Sequence, residues 1–304
     1  MSEPPHHLAD RTLEALGLAV APREDPLVYP GAWPAESGLL DGDRLLPLTR
    51  RTFPGRVPVL AVGSNASPAQ LRHKMRQYEL SSPIPLVKAR VTGLEIGVSA
   101  HVSALGYVSA APFRAPGHTR ELFLTWLDPA QLAAIDASEG VTRPSGAYDR
   151  VVLPSTGFRV EPEPEPEPEP GDPSDPYDSG DSGGSDGSGG SDSSDSSGGS
   201  LDGVHLYVNR HGVLQDGTGT SRVHPGERRL LAQLLAESAG LRKLFGSTPE
   251  EFCSRARGDL RLCAEGTRLF AREGRTTASG LEKYVRGQQT GSPGTGESLS
   301  PPWR

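Results

Sequence analysis

Apolar and polar positions follow different periods in different parts of this 304-residue chain. A short continuous apolar run, "VPVLAV" at 57–62, is followed at once by Gly63-Ser64-Asn65. A run of that length, ended by small and polar residues, predicts a buried strand. From 85 to 127 the pattern alternates through "PLVKARVTGLEIGVS", "GYVSAAPFR" and "TRELFLTWL", with breaks at Gly93, Gly97, Gly106 and "APG" at 115–117. This predicts a meander of several strands. "AYDRVVLP" at 147–154 and "GVHLYVNRHG" at 203–212 read as two more.

Helical periods appear elsewhere. In 67–80, Leu71, Met75 and Tyr78 share one face, and Ser67, Pro68 and Gln70 read as N-cap, first position and capping-box partner. "DPAQLAAIDASEG" repeats that grammar with Asp128, Pro129 and Gln131 and stops at Gly140. Residues 226–257 are helical, with Thr248 capping a second segment, and 258–283 predict one further helix. Ahead of the first strand, 8–19 predict a short helix, while 22–56 are irregular but partly packed, with a small hairpin on Asp41-Gly42. The expected class is α+β: an N-terminal extension (1–56), one domain (57–286) and a flexible tail (287–304).

Composition changes this picture in one place. Residues 161–202, from "EPEPEPEPEP" through Gly/Ser/Asp repeats, hold 13 acids and no Lys or Arg. Such a stretch buries too little apolar surface to offset its ordering entropy, so it is expected to be disordered. It falls between two predicted strands, as an expanded hairpin connection. Setting it aside leaves 25 acids against 31 bases, so the net charge moves from −7 to +6. The bases are scattered and mostly Arg, and no nucleic-acid partner is expected. No run suits a signal peptide or a membrane span, so a cytoplasmic protein with no membrane partner is expected. Cys253 and Cys263 match no zinc or redox spacing and read as two buried thiols. The eight histidines show no paired helical spacing, and no metal site is expected. "GGSDG" at 183–187 fits a nucleophile-elbow pattern but sits in the low-complexity repeat, not between a strand and a helix.

Two features carry candidate chemistry. The turn Gly63-Ser64-Asn65-Ala66 joins a strand to a helix N-terminus, where main-chain N–H groups favour a carboxylate or phosphate. It reads equally as a plain tight turn. Glu139 stands at the carboxyl end of a short helix, one turn after Asp136, and both neighbours disfavour its ionisation. It is either a general acid–base group or an exposed Glu beside a turn.

Taken together and in this order, "AVGSN" at 61–65 and "IDASEG" at 135–140 followed by Tyr148 resemble the γ-glutamylcyclotransferase-like family. The likeness covers about residues 57–155 and, more weakly, the strand and helix after the insert. Val62 stands where the family has Tyr. The resemblance implies a small mixed β-barrel with flanking helices and a small-molecule γ-glutamyl substrate. Residues Val62, Gly63, Ser64, Asn65 and Ala66, with Tyr148, would form the substrate-binding positions, and Glu139 would be the acid–base residue. The reaction implied is closure of the γ-glutamyl group to 5-oxoproline by its own α-amine, which needs no metal or cofactor. The alternative is a non-catalytic scaffold that binds a small ligand or a protein partner. Oligomeric state and leaving group stay open.

Overall fold

The computed structural model describes residues 10–164 and 200–289. Among these, ten strands form one mixed, mostly antiparallel sheet accompanied by seven helices. Its centre is a hairpin of two long strands, β4 (Ile84–Val102) and β5 (Val108–Leu127). Strands of 19 and 20 residues far exceed the usual five or six. The expected meander of several strands is therefore corrected to one long pair. Gly97 lies within β4, and "APG" is a bulge rather than a break: Thr92 pairs Thr119 but Gly93 pairs Ala115. Gly93 carries φ +104°, and a Cβ there would overlap the Gly157 carbonyl, so only glycine lets the loop at 157 approach this close.

One edge of β4 takes three partners in turn. The hairpin β1 (Gly38–Asp41) and β2 (Arg44–Pro47), which turns at Gly42 as expected, pairs β4 through β1. Then come β7 (Arg159–Pro162) and, near the far end, β9 (Val213–Leu214) with β10 (Thr276–Thr277). Beyond β5 the order continues through β3 (Val57–Ala61), β8 (His205–Asn209) and β6 (Tyr148–Val152), with β3 and β8 parallel. The path does not close on itself; β10 and β6 are its ends.

The flanking helices follow their start signals unevenly. α2 (Pro129–Glu139) has the complete Asp128–Gln131 capping box and ends at Gly140 in the left-handed region, φ +74°. α1 (Pro68–Gln77) starts after Ser67, but the Ser67 side chain makes no capping bond. Gln70 does not complete a box either: its Oε1 accepts the N–H of Arg23 at 3.2 Å. The region 226–257 divides into α3 (Glu227–Glu237), α4 (Ala239–Phe245) and α5 (Pro249–Ala256), the last with the Thr248–Glu251 box. The single helix expected over 258–283 ends early as α6 (Leu260–Arg272), before β10 and α7 (Glu282–Gln289). α7 runs past the expected start of the tail at 287; the tail beyond 289 lies outside the described residues.

Two boundaries drawn from sequence are corrected. No helix forms over 10–19. Leu13 N bonds to Asp43 O and Leu45 N to Arg11 O, so strand-like bonding to the β1–β2 hairpin takes the groups a helix would use. Leu13 packs in one core cluster with Leu71, Met75 and Ile135, so the N-terminal segment is part of the domain rather than an extension to it. The insert is shorter than 161–202: residues 161–162 belong to β7, and Leu201 N bonds to Val160 O at 2.7 Å. The remainder, 165–199, including "GGSDG", lies outside the described residues. The strand before it is β7, which pairs β4 and not β8, so the expected hairpin connection is corrected; β8 pairs antiparallel with β6, one strand earlier. A second core holds α3 to α6 against the turn end of the β4–β5 hairpin, with Cys253 and Cys263 buried and unbridged within it. Among the described residues, no helix is long and apolar enough to cross a membrane.

Candidate active site

The chain leaves β3 at Ala61, passes Val62 and Gly63, makes a single 3-10 turn over Ser64–Ala66, and enters α1. Within the turn, Ala66 N bonds to Gly63 O and Ser67 N to Ser64 O, each at 3.0 Å. The N–H groups of Gly63, Ser64 and Asn65 are left without an acceptor among the described residues. Val62, Gly63, Ser64 and Asn65 line a cleft of about 800 Å³. Ala66 does not. It is fully buried and its N–H closes the turn, so the expectation that it contacts substrate is corrected.

The carboxyl end of α2 brings Glu139 to this turn. Glu139 Oε1 accepts from Asn65 Nδ2 at 3.1 Å and from Lys74 Nζ at 2.7 Å, and Lys74 Nζ also donates to Asn65 Oδ1 at 2.8 Å. The three side chains thus form a closed triangle that fixes the carboxylate from one side. Both bonds fall on Oε1. Oε2 has no partner among the described residues, and Glu139 lines the cleft. Asp136 is engaged on the other side: it holds Arg150 Nε at 2.9 Å and accepts from the Tyr207 hydroxyl at 2.8 Å.

Lys74 was not among the residues picked out from sequence. Its signal was present, since it occupies the same helical stripe as Leu71, Met75 and Tyr78; in the fold it is buried with Leu71 and Met75. A cation on an apolar face requires an anionic partner.

Four of the chain's seven tyrosines wall the cleft: Tyr29, Tyr107, Tyr148 and Tyr207. Burial pushes the Tyr148 hydroxyl up to about 12, and the Glu139 charge adds to this. Burial raises the other three as well, so all four remain protonated donors at neutral pH. Of these, Tyr148 was singled out from sequence. Tyr29 was not foreseen, because it comes from the irregular segment in which no chemistry was read. Its ring stacks on Tyr107 at 4.4 Å, and its oxygen accepts the N–H of Ala110 at 2.9 Å. A Cβ on Gly63 would overlap that oxygen, so the hydroxyl stands directly over the turn.

The charge of the wall is uneven. Among the described residues lining it, Arg23, Lys74, Arg143 and Arg268 stand against one carboxylate, Glu139, which favours an anionic ligand. Cys263 also reaches the wall, but burial pushes its thiol up to about 11, which leaves almost no thiolate at neutral pH. Among the described residues no group of three His, Cys, Asp or Glu is arranged to hold a metal ion. No protein-family model matches this chain, and neither a curated protein nor a solved structure is found to match it.

Proposed function

We propose that the cleft binds a γ-glutamyl compound and closes it to 5-oxoproline, as in the γ-glutamylcyclotransferase-like family. The observation that carries this is the pairing of Glu139, anchored through Oε1 and open at Oε2, with a turn whose N–H groups at 63–65 are unused. In the reaction the α-nitrogen of the glutamyl group attacks its own γ-carbonyl carbon. One C–N bond forms and the C–N bond to the leaving amine breaks. The α-ammonium gives up two protons in becoming the lactam N–H. One passes through Glu139 Oε2 to the leaving nitrogen as its C–N bond breaks. The other leaves to solvent, from which the released amine takes up its own second proton, so no water, net proton or electron is consumed. The nucleophile is tethered to its target, so proximity is supplied by the substrate. What the protein adds is a positioned proton carrier and donors for the carbonyl oxygen as charge develops on it. The triangle with Asn65 and Lys74 holds Glu139 in place for both proton transfers. Within the same proposal, the sheet around the β4–β5 hairpin is an open version of the family's small barrel.

The excess of Arg around the cleft favours a leaving group that carries its own anion, such as an amino acid, over a plain amine. The test is 5-oxoproline release by the purified protein from a panel of γ-glutamyl amino acids, dipeptides and amines, alongside Glu139→Gln. Release that disappears in the variant supports the reaction, and the ranking of the panel identifies the leaving group. A non-catalytic scaffold is favoured by Val62, which replaces the family's Tyr, and by the hold of Lys74 on Glu139. Ligand binding with no release from any panel member would select it.

A further inference from the structure

We propose that the N-terminal segment completes the active site, with Tyr29 donating its hydroxyl hydrogen bond to the same substrate carbonyl oxygen that the Gly63–Asn65 N–H groups receive. This rests on the γ-glutamyl reaction proposed above. Three observations carry it. The lone pair of Tyr29 Oη is occupied by the N–H of Ala110 at 2.9 Å, which fixes the oxygen, while the hydroxyl proton has no acceptor among the described residues. A buried, protonated donor left unsatisfied is costly, and a ligand oxygen would relieve that cost. Second, the oxygen fills the space over Gly63 that a side chain would occupy, beside the unused N–H groups of the turn. Third, the ring stacks on Tyr107 at 4.4 Å and touches His224 at 5.6 Å, so the hydroxyl is held before any ligand arrives. Such preorganised donors are the ones that gain most as charge develops.

The segment that carries Tyr29 is itself tied to the site. Arg23 N binds Gln70 at the start of α1, and the Arg23 side chain reaches Gln77 at its end. Arg23 and Tyr29 of this segment therefore reach the cleft wall, and Gly63 is glycine because Tyr29 occupies the place of its Cβ.

The test is steady-state 5-oxoproline release by wild type, Tyr29→Phe, Gly63→Ala and the double variant, on the best substrate of the panel. The melting temperature of each free protein is measured separately, because Tyr29→Phe also leaves the Ala110 N–H without its acceptor. Tyr29→Phe is expected to lower kcat by about 100- to 1,000-fold with KM changed little, as for loss of one oxyanion donor. Gly63→Ala is expected to cost a similar amount by displacing the hydroxyl. In the Tyr29→Phe background it should cost little more, because the next atoms from that Cβ lie at 3.5 Å. Wild-type activity with an unchanged Tyr29→Phe kcat overturns the role of Tyr29 alone. A rise in KM at constant kcat also overturns it, since the contact would then be made to the ground state. Equal cost of Gly63→Ala in both backgrounds does the same. Absence of release by wild type overturns the reaction and this role together.

Discussion

The Lys74–Glu139 pair offers a stability measurement that does not depend on knowing the substrate. The two groups meet at 2.7 Å with side-chain exposures of 5% and 17%. Exposed pairs contribute about 0–1 kcal/mol, whereas removing one partner of a buried pair costs about 3–5 kcal/mol because the other charge is left unpaired. This pair lies near the buried limit, but water reaches Glu139 from the cleft, so Lys74→Met is expected to cost about 3 kcal/mol. The loss comes mainly from the stranded carboxylate, with Asn65 Nδ2 as its remaining donor. Adding Glu139→Gln to Lys74→Met removes that charge and should restore about half of the loss. Urea unfolding at pH 7.5, with midpoint and slope fitted for wild type, both single variants and the double, gives all four free energies. A Lys74→Met cost below about 0.5 kcal/mol, typical of a solvated pair, would refute the reasoning. So would a double variant no more stable than Lys74→Met.

Two further outcomes follow chiefly from burial. His101 lines the cleft, stacked on His211 at 5.1 Å with its Nδ1 unpartnered, and burial, with a smaller push from His211, lowers it to about 4. The unfolded chain therefore binds a proton between pH 6.5 and 4 that the fold refuses. Stability should fall as pH drops through this window, by roughly 3 kcal/mol in all from this residue. His101→Phe should flatten the dependence of the urea midpoint on pH, though not abolish it, since His73, His205 and His211 are lowered in the same sense; an unaltered slope would contradict the account. Cys263 and Cys253, with thiols raised to about 11 and about 12, should resist an aromatic disulfide reagent in the native protein and react only on unfolding.

Local grammar made part of this fold legible. Asp128-Pro129-x-Gln131 and Thr248-Pro249-x-Glu251 both form the capping boxes their spacing predicts, because those bonds are satisfied within one turn. Ser67 and Gln70 show the same letters without the box, since the tertiary contact from Arg23 takes Gln70 first. The β4–β5 hairpin was divided too finely for a related reason. Glycine marks a bulge and a break alike, and the pairing of Gly93 with Ala115 is decided across strands.

The candidate site divides the same way. Glu139 and the turn at 63–65 each stand at a helix end with recognisable punctuation, but only their order and spacing together, as a family resemblance, singled them out. Lys74 was discoverable as a cation on an apolar stripe. Tyr29 was not, since nothing local distinguishes it from any tyrosine in a loop rich in proline and glycine. Its importance comes from Gly63 and Ala110, which are 34 and 81 residues further along the chain.

The segment between β7 and β8 supplies a last prediction, which follows from where its ends lie. Val160 N bonds to Ser200 Oγ at 3.1 Å, and Leu201 N to Val160 O at 2.7 Å, so the chain on either side of 165–199 is already joined by hydrogen bonds. Replacing these residues with about five Gly and Ser should leave β6, β7 and β8 paired as they are. Shortening the closed loop about sevenfold relieves close to three doublings of length, a gain of at most about 1.7 kcal/mol. The excised stretch carries ten acids and no Lys or Arg, so the net charge moves from −7 to +3. The shortened protein is expected to melt at or above the temperature of the full chain. Its 5-oxoproline release, if the full chain shows any, should be unchanged, because every described residue lining the cleft is retained. A clear fall in melting temperature would mean that the segment packs on the domain and is more than a connection. Unchanged melting with lost activity would mean that its acids act on the basic cleft, and the proposed site would then have to include them.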